Sequence, residues 1–110
     1  MADTTGSHRA AVDAFASRVQ EADLDSVREL LLFGSVARGT QSPDSDADVL
    51  AVIEDSAHRS AVEDRLRDIA YEVELDRGVV LSLVVLSESE YRAGGPFLEH
   101  VQRDAETLHG

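Results

Sequence analysis

Two short stretches of this chain carry side chains at a spacing that can do chemistry. Gly34-Ser35-Val36-Ala37-Arg38-Gly39 comes first, and ten residues separate Ser35 from the start of Asp46-Ala47-Asp48. The two aspartates stand at i and i+2 where an apolar run, Val49-Leu50-Ala51-Val52-Ile53, begins. On a strand such residues share one face. Two carboxylates side by side repel, and without a cation one tends to keep its proton. A divalent ion resolves that conflict. Mg²⁺ in particular is held by one or two carboxylates, with substrate phosphates completing its shell. A Gly-Ser turn at a strand end offers backbone N–H groups to a phosphate. Gly34 lets the backbone approach closely. Ser35 adds a hydroxyl, and Arg38 a guanidinium that can fork onto phosphate oxygens. A phosphate cradle beside a metal pair equips a protein for phosphoryl or nucleotidyl transfer from a nucleotide.

Each of these residues also has a plainer reading. Asp46 and Asp48 can be two solvated acids among many, and Ser35 a turn residue. Arg38 can pair with surface acids such as Glu29 or Asp44. Asp44-x-Asp46-x-Asp48 copies the first three ligand positions of a calcium loop. That loop then needs Gly and finally Glu, where this chain has Val49 and Asp55, so the calcium reading fails. His8, His58, His100 and His109 show no ligand spacing and read as solvated. Tyr71 and Tyr91 read as packing residues, and Ser82 as a small residue on a strand.

The elements that must position the acidic pair follow from periodicity. Val12, Phe15, Ala16, Val19 and Ala22 recur at helical spacing, predicting a helix over about 7–22. Leu30-Leu31-Leu32-Phe33 is a helix end or a buried strand, and the Gly34-Ser35 that follows favours a strand ending in a tight turn. Residues 39–46 are dense in turn formers and read as a loop. Val49 to Ile53 is a second short strand. Asp55 or Ser56 is expected to cap a second helix that runs to about Leu75, with Gly78 in the left-handed cap position. Val79 to Leu86 is a third strand, rich in β-branched residues. Ser87-x-x-Glu90 has the form of a capping box, opening a short helix. Gly94-Gly95-Pro96 breaks it, and Phe97, Leu98 and Val101 mark a last helix. The expected fold is one α/β (α+β) domain over 1–110: a small mixed sheet with helices packed on one side. A helix between strands two and three permits their parallel pairing.

Composition narrows the function classes. The chain has 110 residues, 22 acids and a net charge of −12, and all ten of its bases are arginine. So acidic a protein is a poor ligand for nucleic acid or for an anionic membrane surface. Without cysteine there is no disulfide framework, thiolate metal site or cysteine nucleophile. The start, Met1-Ala2-Asp3-Thr4-Thr5-Gly6-Ser7, has no basic and apolar targeting pattern, so a cytoplasmic location is expected. Acid enrichment without lysine suits a salt-loving cytoplasm, since ~1 M salt shortens the screening length to about 3 Å and removes self-repulsion. The melting midpoint should therefore rise from low salt to multi-molar KCl. Equal midpoints would contradict the halophilic reading.

Gly34-Ser35, ten residues, then Asp46-x-Asp48 and apolar Val49-Leu50-Ala51-Val52 resembles the signature of the polymerase-beta-like nucleotidyltransferase superfamily. The length is similar to that of its minimal members, and the resemblance runs on to Pro96-Phe97-Leu98-x-x-Val101. It implies that Asp46 and Asp48 ligate Mg²⁺ and carry catalysis. It further implies that Gly34 and Ser35 bind the phosphates of ATP or another nucleoside triphosphate, with Arg38 a further phosphate contact. Transfer of AMP from ATP to a hydroxyl of a partner protein is the implied reaction. Minimal members are often antitoxins paired with a helical HEPN-domain toxin. One departure stands out. The family commonly carries a third carboxylate on the strand after the second helix, and Val79 to Leu86 contains no acid. Val80 aligns with the missing position, and Ser82 is its same-face neighbour. The alternative is a catalytically degenerate module of the same fold that neutralises or scaffolds a partner by contact. Transfer to a small molecule is a weaker option, because those relatives carry an additional helical domain. Homo-oligomerisation is left open.

Overall fold

The structure, a computed structural model, describes residues 4–109, and side chains from residue 7 onward. Met1 to Asp3, where the expectation about targeting begins, and Gly110 lie outside the described residues. The elements are α1 (Thr4–Glu21), β1 (Val27–Phe33), α2 (Gly34–Arg38), β2 (Ala47–Ile53), α3 (Arg59–Arg77), β3 (Leu81–Ser87), α4 (Glu88–Ala93), α5 (Pro96–Asp104) and β4 (Glu106–His109). The sheet order is β3-β2-β1-β4. β1 runs antiparallel to β2 and β4, and β2 runs parallel to β3. The expected mixed sheet is present, and α3 supplies the crossover.

Alternation along the strands sorts side chains between two layers. Leu30 and Leu32 of β1, with Val49, Ala51 and Ile53 of β2, join the helical stripes Val12, Phe15 and Val19 of α1 and Leu66, Ile69 and Val73 of α3 in one core. Leu31, Phe33, Leu50 and Val52 point the other way and pack against Leu98 and Val101 of α5. The long helices share one face, as expected, but α5 covers the opposite one. That second layer explains why β2 is buried without interruption from Val49 to Ile53: a strand covered on both faces reads as a continuous apolar run.

Local signals account for most boundaries. Gly78 caps α3 at φ 71° and donates its N–H to the Glu74 carbonyl at 2.8 Å. The capping box of α4 is formed: Ser87 accepts from the Glu90 N–H, and Glu90 accepts from the Ser87 N–H. Two boundaries differ. α3 starts at Arg59 rather than after Asp55 or Ser56, because the Asp55 carboxylate accepts instead from the backbone N–H and hydroxyl of Ser89. β4 has no counterpart in the periodicity analysis. Its four residues become a strand through pairing with β1, and Arg9 of α1 bonds Glu106 at 2.6 Å. Tyr71, read as a packing residue, is 59% exposed on the outer side of α3.

Candidate active site

The acidic pair sits at the mouth of the central strands. Asp48 lies in β2 opposite Phe33, the last residue of β1, and beside Ser82 of β3. Gly34 follows Phe33 and opens α2, a five-residue helix closed by Gly39. The contact between Gly34 and Asp48 is intimate. A Cβ on Gly34 would lie 2.2 Å from Oδ2 of Asp48, and Gly34 also has φ +76°. Only glycine satisfies both conditions, because L side chains rarely adopt that φ and any of them would displace the carboxylate. The Gly34-Ser35 turn and the aspartate pair, ten residues apart in sequence, are thus one constellation.

Electrostatics favours a cation there. Burial pushes the Asp48 carboxyl above its usual range, the neighbouring Asp46 pushes it the same way, and Arg38 pulls it back. Asp46, Asp48 and Arg38 therefore share one electrostatic environment. Arg38 also bonds Asp104 of α5 at 3.2 Å, not Glu29 or Asp44. No cluster of three or more acidic or histidine side chains fit to hold a metal exists among the described residues. Two carboxylates are what Mg²⁺ uses when triphosphate oxygens and water complete its octahedron, so the residues present fit that ion. Opposite the pair, Val80 accepts the Ala47 N–H at 2.9 Å and Ser82 neighbours Asp48. Val80, the position aligned with the missing acid, and Ser82 therefore border Ala47 and Asp48 across the sheet.

Nothing in the sequence marks His8, read as solvated, for a role. The structure buries it at 2% exposure, where its Nε2–H donates to the Ser45 carbonyl at 2.8 Å. Ser45 immediately precedes Asp46, so α1 holds the end of the 39–46 loop that delivers the pair. His8→Ala should cost about 1–3 kcal/mol, the range for leaving a buried acceptor without its donor. Thermal melts would read that loss. A Mg²⁺ titration should also show weaker binding than in a variant equally destabilised elsewhere. Equal affinity at matched stability would contradict a positioning role. His58 and His100 are exposed as expected, and His109 bonds Gln20 at 2.9 Å.

A cavity of about 420 Å³ lies at the far end of the sheet, lined by Val19, Leu24, Val27 and His109 among others. It touches none of the signature residues. No described helix is long and apolar enough to cross a membrane.

An α/β sheet with a glycine-serine turn packed against an aspartate pair defines a nucleotide-handling class of domain. Residues 12–104 match the nucleotidyltransferase domain family, and the chain belongs to that polymerase-beta-like family. Three solved structures share its fold. One is a toxin–antitoxin complex with AMP-PNP, at TM-score 0.62 and 20% identity over 89% of this chain and 73% of that one. The second is tri-AMPylated Shewanella oneidensis HEPN toxin with MNT antitoxin, at TM-score 0.52 and 17% identity over 87% and 70%. The third is assigned as a minimal nucleotidyltransferase, at TM-score 0.52 and 29% identity over 86% and 90%. No curated protein matches the chain in sequence.

Proposed function

We propose that the chain transfers AMP from ATP, with Mg²⁺, to a hydroxyl of a partner protein, in a salt-rich cytoplasm. The observation that carries this reading is the packing of Gly34 against Asp48 beside Asp46. Asp46 and Asp48 would hold the ion, which supplies charge neutralisation on the triphosphate and draws electrons from the α-phosphorus. Gly34 and Ser35 would present the turn to the outer phosphates, and Arg38 would swing from Asp104 to a phosphate oxygen. The acceptor hydroxyl attacks the α-phosphorus and pyrophosphate leaves. A HEPN-type toxin is the proposed partner, supported by the structural relatives crystallised with such toxins.

Incubation with Mg²⁺, labelled ATP and the co-encoded helical partner should label the partner. An unlabelled partner, with nucleotide affinity intact, would favour a second reading: a module that neutralises its partner by contact. One observation supports that alternative. No acid stands on β3 beside the pair, where Ser82 neighbours Asp48.

A further inference from the structure

β3 is an outer strand of the sheet, and it lacks the usual protection of an edge. Proteins guard exposed edges with charges, prolines or bulges, and Leu81 to Ser87 contains no charged residue and no proline. Val80 turns its carbonyl towards β2, where the Ala47 N–H donates to it. Backbone groups alternate in direction along a strand, so Leu81, Leu83 and Val85 turn theirs to the open side. At Val85 the carbonyl already accepts from Arg59 at 2.7 Å. The stretch left open is therefore Leu81 to Leu83.

Above this stretch runs a groove of about 150 Å³, lined by Arg67, Ala70, Tyr71 and Glu74 of α3 with Leu81 and Leu83. Tyr71 is 59% exposed and Leu75, one turn on, 67%. The lining is arranged symmetrically. Leu81 and Leu83 straddle Ser82, while Arg67 and Glu74 flank the Ala70-Tyr71 centre on either side.

We infer that this edge pairs with the same edge of a second copy, antiparallel about a two-fold axis at Ser82. Leu81 of each copy would exchange N–H···O bonds with Leu83 of the other, four bonds that use the groups left open. α3 runs antiparallel to β3, since it is the crossover between parallel strands. The two-fold axis therefore reverses both elements together, and Arg67 of each copy meets Glu74 of the other. An isologous contact requires this self-complementarity. The groove is charge-balanced, so a basic partner gains nothing from it, although the chain as a whole is at −12. That net charge opposes self-association at low salt, and screening relieves it. The pairing requires neither nucleotide nor metal, and it stands apart from the transferase reading.

Sedimentation of the full chain in about 2 M KCl should show concentration-dependent doubling of the 11.9 kDa mass, weakened at low salt. Arg67→Glu sets like charges in direct contact twice within the interface, where salt screens far less than across the open surface, and should weaken the dimer about tenfold or more. Adding Glu74→Arg to it should restore pairing. Tyr71→Asp should dissociate the dimer, and Arg103→Glu, which makes the same charge change as Arg67→Glu but on α5, should leave it intact. A wild-type chain that stays monomeric, a dimer indifferent to Arg67→Glu, or a charge swap that fails to rescue would each overturn the inference.

Discussion

Asp48→Asn should abolish Mg²⁺-dependent nucleotide binding while making the metal-free protein more stable. The two effects have one origin. Asp48 is held above the ordinary carboxylate range by burial and by Asp46, against the pull of Arg38. A carboxyl whose folded pKa is raised favours the native state most below its unfolded value. That contribution is lost as pH rises through the folded value. At neutral pH the ionised Asp48 therefore disfavours the fold, and the neutral, nearly isosteric Asn removes the penalty. The same substitution removes a charge that the proposed Mg²⁺ site would rest on. Groups one shell away from a metal cost 10–100-fold in affinity when lost, so a direct ligand should cost about 100-fold or more. Melting curves with and without Mg²⁺ and ATP would read both signs. The wild type should gain stability on adding the ligands, and Asp48→Asn should start higher and gain none. A destabilised variant with unchanged affinity would place Asp48 among structural acids.

Gly34→Ala and Gly39→Ala should separate strain from site damage. Both glycines have positive φ, +76° and +75°, so alanine at either should cost about 1–2 kcal/mol in backbone strain. Their surroundings differ. A Cβ at Gly39 meets nothing within 4 Å, whereas at Gly34 it lies 2.2 Å from the Asp48 carboxylate. The carboxylate is the free end of a side chain and can swing away, so the added methyl group should displace Asp48 rather than unfold the sheet. Gly34→Ala is thus expected to lose nucleotide binding well beyond its loss of stability, and Gly39→Ala to lose stability alone. Binding titrations at matched folded fractions would show the difference. Equal affinity in the two variants would mean that the Gly34–Asp48 contact has no part in binding.

Much of this was legible before the fold was known, and the reasons are physical. The candidate site, Gly34, Ser35, Asp46 and Asp48, stood out because the proposed chemistry depends on residue type and spacing, which a sequence displays directly. Val49 to Ile53 and the stripes of α1 and α3 stood out because burial imposes periodicity. The features that escaped depend on contacts distant in the chain. His8 looks like any surface histidine until the loop at Ser45 folds over it. Glu106 to His109 has no apolar run and becomes a strand because β1 leaves an edge to be paired. Asp55 has the form of a helix cap, yet Ser89, 34 positions on, takes its carboxylate. The position of α5 on the second face was likewise hidden, since Leu98 and Val101 mark a helix but not the face it covers.

The chain has no lysine and a net charge of −12, so it has little with which to hold a triphosphate directly. On this account the polyanion is bound through Mg²⁺ on Asp46 and Asp48, with the Gly34-Ser35 turn and Arg38 in support. The most direct test is the affinity of the wild-type protein for ATP by calorimetry, with Mg²⁺ and then with excess EDTA. Binding should be measurable with Mg²⁺ and vanish with EDTA. Equal binding in both would contradict the assignment of the aspartate pair.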